Sequence, residues 1–414
     1  MYIKIFLVGL LLICQLFWSG FVATPGAIAF SSNQNLVAEV WRIVNQAYLD
    51  DSFNHQNWWL IRENTLKEKL DNQEQTYTAI KEMLATLDDP FTRFLPPDQY
   101  RGLKVNTSGE LSGVGLQIMI NPETKALEVI SPLEGSPAAK AGIQPKDTIV
   151  SIDGIPSSTL TLDEAATKMR GKIGTKVKLL VQTPGQEPAE VELQRDRITL
   201  NPVYARMDDS TGQAIGYIRL TQFSANATKE VAHAIANLED QGATGYILDL
   251  RNNPGGLLQA GIDVARLWLD EAPVVYTVNR QGMLGSFTSN DPALTQAPLT
   301  VLVNQGTASS SEILAGALQD NGRAKLVGET TFGKGLIQSL FDLEGGSGLA
   351  VTVAKYETPN HRDINKLGIT PDQVIPSELL TFSQVATPED DQYQAALKLV
   401  TNNIQLARSN QLAG

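Results

Sequence analysis

Cysteine is almost missing from this chain: Cys14 is the only one in 414 residues. It falls inside an apolar leader, so the remainder can form no internal disulfide and must hold together by core packing. Histidine is nearly as scarce. His55, His233 and His361 are too few for a Cys/His zinc site. They also lack a catalytic-triad context, since His233 lies in the amphipathic run TKEVAHAIANLED and the other two lie in polar turns. Cations are outnumbered, 33 Lys and Arg against 45 Asp and Glu. The net charge of −12 argues against nucleic acid and anionic headgroups as partners. Long apolar runs are absent after the leader. Residues 5–18 follow the lone charge of Lys4 and lead to Ala27-Ile28-Ala29, a small-x-small cleavage pattern. Residues 1–29 therefore read as the signal peptide of an exported protein. The run is short for a membrane-spanning anchor, and Ile13 is too large for a lipoprotein site at Cys14.

What is present falls into blocks. Residues 30–105 carry helical spacing: Leu36, Val40, Trp41, Val44 and Tyr48, then Tyr77, Ile80, Met83, Leu84 and Leu87. Residues 106–197 switch to short β-rich runs at 126–131, 148–153, 176–182 and 190–195, with short helices at 137–141 and 162–170. Residues 198–375 alternate strand and helix. Strands are expected at 216–220, 245–250, 299–304, 325–328 and 349–356, with helices at 227–238 and 257–269. That alternation predicts an α/β core with a largely buried sheet, in a multidomain α+β chain. Residues 376–414 close with a helix at 392–406.

Two segments carry chemistry. Ser309 lies in GTASSSEILAGALQDN (306–321), and Lys334 lies in GETTFGKGLIQS (328–339). A serine attacks only when a base takes its proton, and lysine is a base only when neutral. At its ordinary pKa of ~10.4, about one lysine in 2,500 is neutral at pH 7. Lowering the pKa to ~7 costs roughly 4–5 kcal/mol, which burial can supply. Phe332, Leu336 and Ile337 are the expected apolar surroundings, with Gly333 and Gly335 allowing close approach. The same serine begins Ser309-x-x-Glu312, a helix capping box. Ser310 and Ser311 leave the attacking hydroxyl open on spacing alone. Capping and catalysis are compatible, because a helix N-terminus offers free N–H groups to an oxyanion. GYILDLRNNPGG (245–256) runs from an apolar strand into bare glycines, which suit either a plain turn or a ligand-facing backbone.

These segments resemble the C-terminal processing (tail-specific) peptidases, serine proteases with a Ser–Lys dyad. The T-A-S, Q-D and F-G-K-G-x-x-Q patterns carry the likeness, with Ser310 standing where the family usually has Ala. The resemblance implies Ser309 as nucleophile, Lys334 as base and Gln338 as its support. It makes Asp320 a mainly structural acid. It implies an oxyanion hole from Gly255 and the N–H of Ser310, on a crotonase-like core that needs no metal or cofactor. Asp249 and Arg251 are read as a scaffold ion pair. GVGLQI (113–118), GSPAAKAGI (135–143) and DTIVSIDG (147–154), in that order, resemble a PDZ domain inserted before the core. There Gly113, Val114, Gly115 and Leu116 are expected to hold a peptide carboxylate, and the peptide adds as a strand. Arg170, in KMRGKIGT, matches an arginine that couples tail binding to activity in related peptidases. WRIVNQAYLDDSFNHQNWW, MLATLDDPFTRF and YETPNHRDINKLGITPD are similar to the oxygenic-phototroph branch. One member of that branch removes the C-terminal extension of the photosystem II reaction-centre protein precursor. The implied partners are proteins with free C-terminal tails, including membrane proteins with exported tails, in the thylakoid lumen or periplasm. A general periplasmic tail-specific protease is the alternative. A non-catalytic PDZ binding protein would have been favoured by loss of Ser309, Lys334 or Gln338. A crotonase-like acyl-CoA enzyme conflicts with export.

Overall fold

The computed structural model describes residues 30–413 apart from 134, 377–379 and 382. The expected signal peptide and Cys14 lie outside the described residues. Two compact units result, one comprising residues 52–94 and the segment ending at Gln46, the other residues 47–51 and 95 onward. The first unit is helical: α1 (Ser32–Ala47), α2 (Trp58–Lys67) and α3 (Gln73–Ala85), followed by the short strand β1 (Arg93–Leu95). Helix α1 buries Val37, Val40, Trp41 and Val44 on one face. The Trp41 indole donates to Trp58 O at 2.8 Å. Asn57 and Asn72 cap α2 and α3 by accepting from Leu60 N and Gln75 N, which sets where those helices begin.

The second unit opens with α4 (Pro97–Ser108), which runs beyond the composition shift near 105 and stops at Gly109 in the left-handed region, φ 68°. Strand β2 (Glu110–Gly113) leads into the β-rich block. That block contains β3 (Leu116–Ile120), β4 (Leu127–Pro132), α5 (Pro137–Lys140), β5 (Thr148–Ile152), β6 (Ile155–Pro156), α6 (Leu162–Met169), β7 (Lys176–Gln182) and β8 (Ala189–Gln194). Its sheet has the order β3-β4-β5-β7-β8, with β6 on β5. Its core includes Val129, Ile149, Ile152 and Leu179. The chain leaves through β9 (Asp196–Thr199), which pairs antiparallel with β2, so entry and exit form a two-stranded ribbon.

The larger region contains β10 (Val203–Asp208), β11 (Ile215–Leu220), α7 (Ala227–Asp240), β12 (Gly245–Asp249), α8 (Leu258–Arg266), β13 (Pro273–Asn279), β14 (Gly282–Thr288), β15 (Leu299–Val303), α9 (Ser310–Asp320), β16 (Ala324–Gly328), β17 (Leu336–Asp342), β18 (Gly348–Glu357), β19 (Gln373–Val374) and α10 (Asp391–Ala413). Its main sheet has the order β10-β11-β12-β15-β16-β19. Strand β10 is antiparallel to β11 and the others run parallel. Every residue of β12 and β15 is buried, as expected of strands covered on both faces. Alternate side chains explain how. Leu248, Val301 and Val303 pack under α7, α8 and α9, whereas Tyr217, Ile247, Leu302 and Val327 pack under α10. A second, antiparallel sheet joins β14, β13, β18 and β17. Only part of β18 was expected from sequence, because β17 has no clean alternation of burial and β13–β14 is a half-exposed hairpin. The result is a multidomain α/β protein with a helical N-terminal region, mixed sheets and a PDZ-like insertion.

Candidate active site

Parallel strands deliver their following loops to one edge of a sheet, and β11, β12 and β15 do so here. Side chains stitch these loops together. Thr307 Oγ1 donates to Leu250 O (2.9 Å), and Ala308 N donates to Asn253 O (3.0 Å). Asn304 Oδ1 accepts from Asn252 N (2.9 Å) and Gly306 N (3.0 Å), while its Nδ2 donates to Asn252 Oδ1 (3.0 Å).

Ser309 sits at the start of α9 with φ 57°, a strained backbone for a non-glycine residue that persists only where neighbours enforce it. Its N–H donates to Glu312 Oε2 at 2.9 Å, one half of the expected capping box. Its carbonyl accepts from Glu312 N (2.8 Å), Ile313 N (3.0 Å) and the Tyr356 hydroxyl (3.1 Å). The three consecutive serines have different fates. Ser310 is buried, its Oγ donating toward Gly256 O and Leu257 O at 3.2 Å each, and Ser311 is buried with its Oγ on Asn253 O at 3.0 Å. Ser309 alone is part-exposed.

Glu312 is fully buried and joins the two motifs. Oε2 accepts Ser309 N and also Lys334 N, each at 2.9 Å. Oε1 accepts Gly333 N at 2.7 Å and the Thr331 hydroxyl. One carboxylate oxygen therefore holds the amides of both dyad candidates, which are 25 positions apart in sequence. At the carbonyls of the same two residues, Tyr356 Oη contacts Lys334 O at 2.9 Å as well as Ser309 O. Burial pushes the Tyr356 hydroxyl well above its ordinary pKa, and the Glu312 charge adds to this, so it stays a neutral donor. The apolar surroundings of Lys334 differ from expectation. Phe332 is 58% exposed, because its N–H is drawn to Thr307 O (3.0 Å) and its ring faces outward, and Lys334 is only partly buried. Gln338 lies at a β-bulge of β17, and its Nε2 is buried with no hydrogen-bond partner among the described residues.

Gly255 has φ 93°, and a Cβ there would come within 2.7 Å of Ala308 O, 2.8 Å of Ser309 Cβ and 3.0 Å of Ser310 N. The oxyanion candidates thus lie against each other. Ser310 N is the first amide of α9 and has no intrahelical partner. Gly255 N donates to Asn253 Oδ1 at 3.0 Å in this structure. Asp320 pairs with Arg362 and accepts Asn360 N (3.0 Å), so it ties a loop to the end of α9.

Arg251 carries more than its expected pairing with Asp249. Its guanidinium is bidentate to Asp249 (3.0 and 2.7 Å) and bidentate to Asp390 (2.9 and 2.8 Å), with Gln392 at 3.1 Å. Burial works against its charge, but the two carboxylates outweigh it and hold its pKa above the usual arginine value. Burial alone would raise the Asp390 pKa; the Arg251 contacts bring it below the usual carboxylate range. The histidines lie elsewhere: His233 is exposed on α7, and His361 stacks on Tyr276 at 4.3 Å and contacts Glu357 at 3.2 Å.

In the insertion, β3 is an edge strand of its sheet. The preceding turn turns its carbonyls inward: Val114 O accepts Ala138 N and Gly115 O accepts Leu133 N, both at 2.9 Å. Val114 is buried, Gly115 has φ 77°, and Leu116 begins β3. Gly113 abuts the end of α6, where a Cβ would lie 3.3 Å from Met169 O and 3.4 Å from Arg170 Cα, and the Arg170 residue is exposed. Sequence reading missed Tyr356 and Asp390 entirely and saw Glu312 only as a cap.

Comparison with known proteins identifies the family. Residues 214–375 match the model of peptidase family S41, and residues 128–183 match a PDZ domain. The carboxyl-terminal-processing protease of Synechocystis sp. is 64% identical over 389 residues, covering 94% of this chain and 91% of that protein. The chloroplastic carboxyl-terminal-processing peptidase 2 of Arabidopsis thaliana is 44% identical over 85% of this chain and 71% of its own length. Among solved structures, a photosystem II D1 C-terminal processing protease is 42% identical, with a TM-score of 0.56, covering 85% of this chain and 95% of the other. This chain belongs to peptidase family S41, as a serine-type C-terminal processing endopeptidase with a PDZ domain.

Proposed function

We propose that Ser309 is the nucleophile and Lys334 the general base of a peptidase that trims C-terminal tails. Neutral Lys334 takes the Ser309 proton as Oγ attacks the scissile carbonyl. The N–H groups of Ser310 and Gly255 receive the oxyanion, with Gly255 exchanging its Asn253 partner for it. The lysinium protonates the leaving amine. A water activated by Lys334 then releases the acyl group from Ser309. Gln338, with its unpartnered buried amide four residues beyond Lys334, is assigned to support the base. The observation that carries the reading is the single Glu312 oxygen bonded to both the Ser309 and the Lys334 amides. The committed hydroxyls of Ser310 and Ser311 favour Ser309 among the three serines. The core is assigned a crotonase-like arrangement on the resemblance of its motifs.

Substrate tails dock, in this reading, with their carboxylate at Gly113-Val114-Gly115-Leu116 and their backbone along the edge of β3. Arg170 reports occupancy to the dyad. A continuous set of contacts supports such coupling. The β2–β9 ribbon starts at Gly113 and ends where Gly109 O accepts Leu200 N (2.8 Å). Leu200 O accepts Asn226 Nδ2 (2.9 Å), and the nearby Phe223 N donates to Gly255 O (3.0 Å). The same proposal divides the chain at 29, 105, 197 and 375. The protein acts after export, in the thylakoid lumen or periplasm. Its proposed substrate is the C-terminal extension of the photosystem II D1 precursor, by likeness to the solved D1 C-terminal processing protease. The test is cleavage of a tail-extended D1 peptide by Ser309→Ala, Lys334→Ala and Ser310→Ala. The first two should be inactive yet folded and the third active. An active Ser309→Ala beside an inactive Ser310→Ala would overturn the nucleophile assignment.

A further inference from the structure

Two bridges fix the backbone of the proposed dyad, one at its amides and one at its carbonyls. On the amide side, Glu312 Oε2 accepts both Ser309 N and Lys334 N. On the carbonyl side, Tyr356 Oη lies 3.1 Å from Ser309 O and 2.9 Å from Lys334 O. Tyr356 comes from β18, a strand of the second sheet, and is only 1% exposed. Its own N–H donates to Gly335 O at 3.0 Å, so side chain and main chain together grip the FGKG turn at two successive carbonyls. No other side chain among the described hydrogen bonds reaches the carbonyls of both residues.

We propose that Tyr356 is a positioning residue for the peptidase reaction, sharing its hydroxyl proton between the Ser309 and Lys334 carbonyls and thereby setting the separation of nucleophile and base. This inference rests on the Ser309–Lys334 reading and extends it. The physical need is specific. Ser309 has positive φ, so it can relax by rotation about its own backbone bonds unless both its N–H and its C=O are held. Glu312 holds the amide end. The carbonyl end has helix amides that follow the chain if it rotates, because they belong to the same turn. Among the described hydrogen bonds, Tyr356 makes the one to that carbonyl from outside α9. Lys334 lies between two glycines, Gly333 and Gly335, whose backbones have no Cβ to restrict them. Its carbonyl is anchored by the same hydroxyl. Removing the hydroxyl takes its contact from both carbonyls at once and leaves the ring, and hence the packing, in place.

The experiment is Tyr356→Phe in the full exported chain, with Tyr393→Phe as a matched control. Tyr393 is also 1% exposed and also loses a buried hydroxyl contact, to Asp208, remote from the dyad motifs in sequence. Cleavage of a tail-extended peptide, its pH profile, and covalent labelling by a fluorophosphonate probe are measured at equal folded fraction by circular dichroism. Tyr356→Phe should lower kcat by about 10- to 100-fold, the cost of a sub-ångström to ångström misplacement of reacting groups. KM should stay within about twofold, the rate of fluorophosphonate labelling should fall in parallel, and the acidic limb of the kcat profile, which reports deprotonation of the base, should move. Tyr393→Phe should lose stability but not kcat. Wild-type kcat with an unmoved pH profile in Tyr356→Phe overturns the proposal. So does a loss equal to that of Tyr393→Phe. Ser309→Ala, run alongside, separates the two readings: if it still cleaves and still labels, the dyad itself is wrong, whereas an inactive Ser309→Ala beside an unimpaired Tyr356→Phe rejects only the clamp.

Discussion

Placing a methyl group on Gly255 tests the geometry of the site more sharply than deleting a catalytic side chain. Gly255→Ala meets two separate costs. The first is backbone: φ 93° is foreign to residues with a Cβ and costs about 1–3 kcal/mol. The second is contact: the new Cβ lies 2.7 Å from Ala308 O, 2.8 Å from Ser309 Cβ and 3.0 Å from Ser310 N. None of these is the yielding tip of a long side chain, so the nucleophile turn itself must shift, at a further ~1–3 kcal/mol typical of overpacking. A shifted turn moves Ser309 and misaligns the Ser310 amide. Misplaced reacting groups and a lost oxyanion donor each typically cost about 100-fold or more, so kcat/KM should fall by at least about 100-fold. Gly242→Ala supplies the control, because Gly242 has nearly the same φ of 91° with nothing within 4 Å of the added Cβ. It should lose about 1–3 kcal/mol of stability and keep its turnover. Urea unfolding and initial rates on a tail-extended peptide report both quantities. If Gly255→Ala cleaves at close to the wild-type rate, or if Gly242→Ala is equally inactive, the placement of Gly255 against the nucleophile has been misread.

Lys334→Arg keeps a positive charge that cannot be removed near neutral pH, so a general-base role predicts no cleavage, and near-normal rates would contradict it. Amidating the C-terminus of a substrate should weaken its binding without altering the scissile bond, and equal cleavage of acid and amide forms at subsaturating concentration rejects carboxylate docking at residues 113–116. Arg170→Ala should reduce cleavage of tailed substrates by about 5- to 150-fold while tail affinity changes little, as measured by titration of the same variant. Asp390→Asn leaves Asp249 as the one carboxylate on Arg251 among the described residues and should cost about 3 kcal/mol at neutral pH, the lower end for a broken buried pair. Because the Asp390 pKa is depressed in the folded state, its contribution is present above the unfolded carboxylate pKa of ~3.9 and disappears on acidification below it. The acid limb of stability against pH should therefore be shallower in Asp390→Asn than in the parent; an unchanged limb refutes the assignment.

Much of the fold was legible because its signals are local. Strand β7 was read at its observed limits, 176–182, because its burial alternates residue by residue. Strands β12 and β15 stood out as continuous apolar runs, since α7, α8 and α9 cover one face and α10 the other. Helix α10 runs to Ala413, beyond the expected stop at 406, because its final turns are polar and carry no apolar period to count. The hairpin of β13 and β14 gave no usable pattern, since register shifts break the alternation that a strand reading depends on.

The site divides along the same line. Ser309, Glu312 and Lys334 lie in two short motifs whose residue types state a chemistry, so they could be named from sequence. Their mutual support could not. Asp390 reaches Arg251 across 139 positions, and Tyr356 reaches Ser309 across 47. Neither has a local spacing that distinguishes it from an ordinary polar or aromatic residue. Phe332 shows the converse failure: its place beside Lys334 in sequence suggests apolar cover, yet the folded turn sends it outward, 58% exposed. Adjacency along an extended chain places side chains on opposite faces. The groups that position Lys334 therefore come from α9 and β18, segments that only the folded sheet brings beside it.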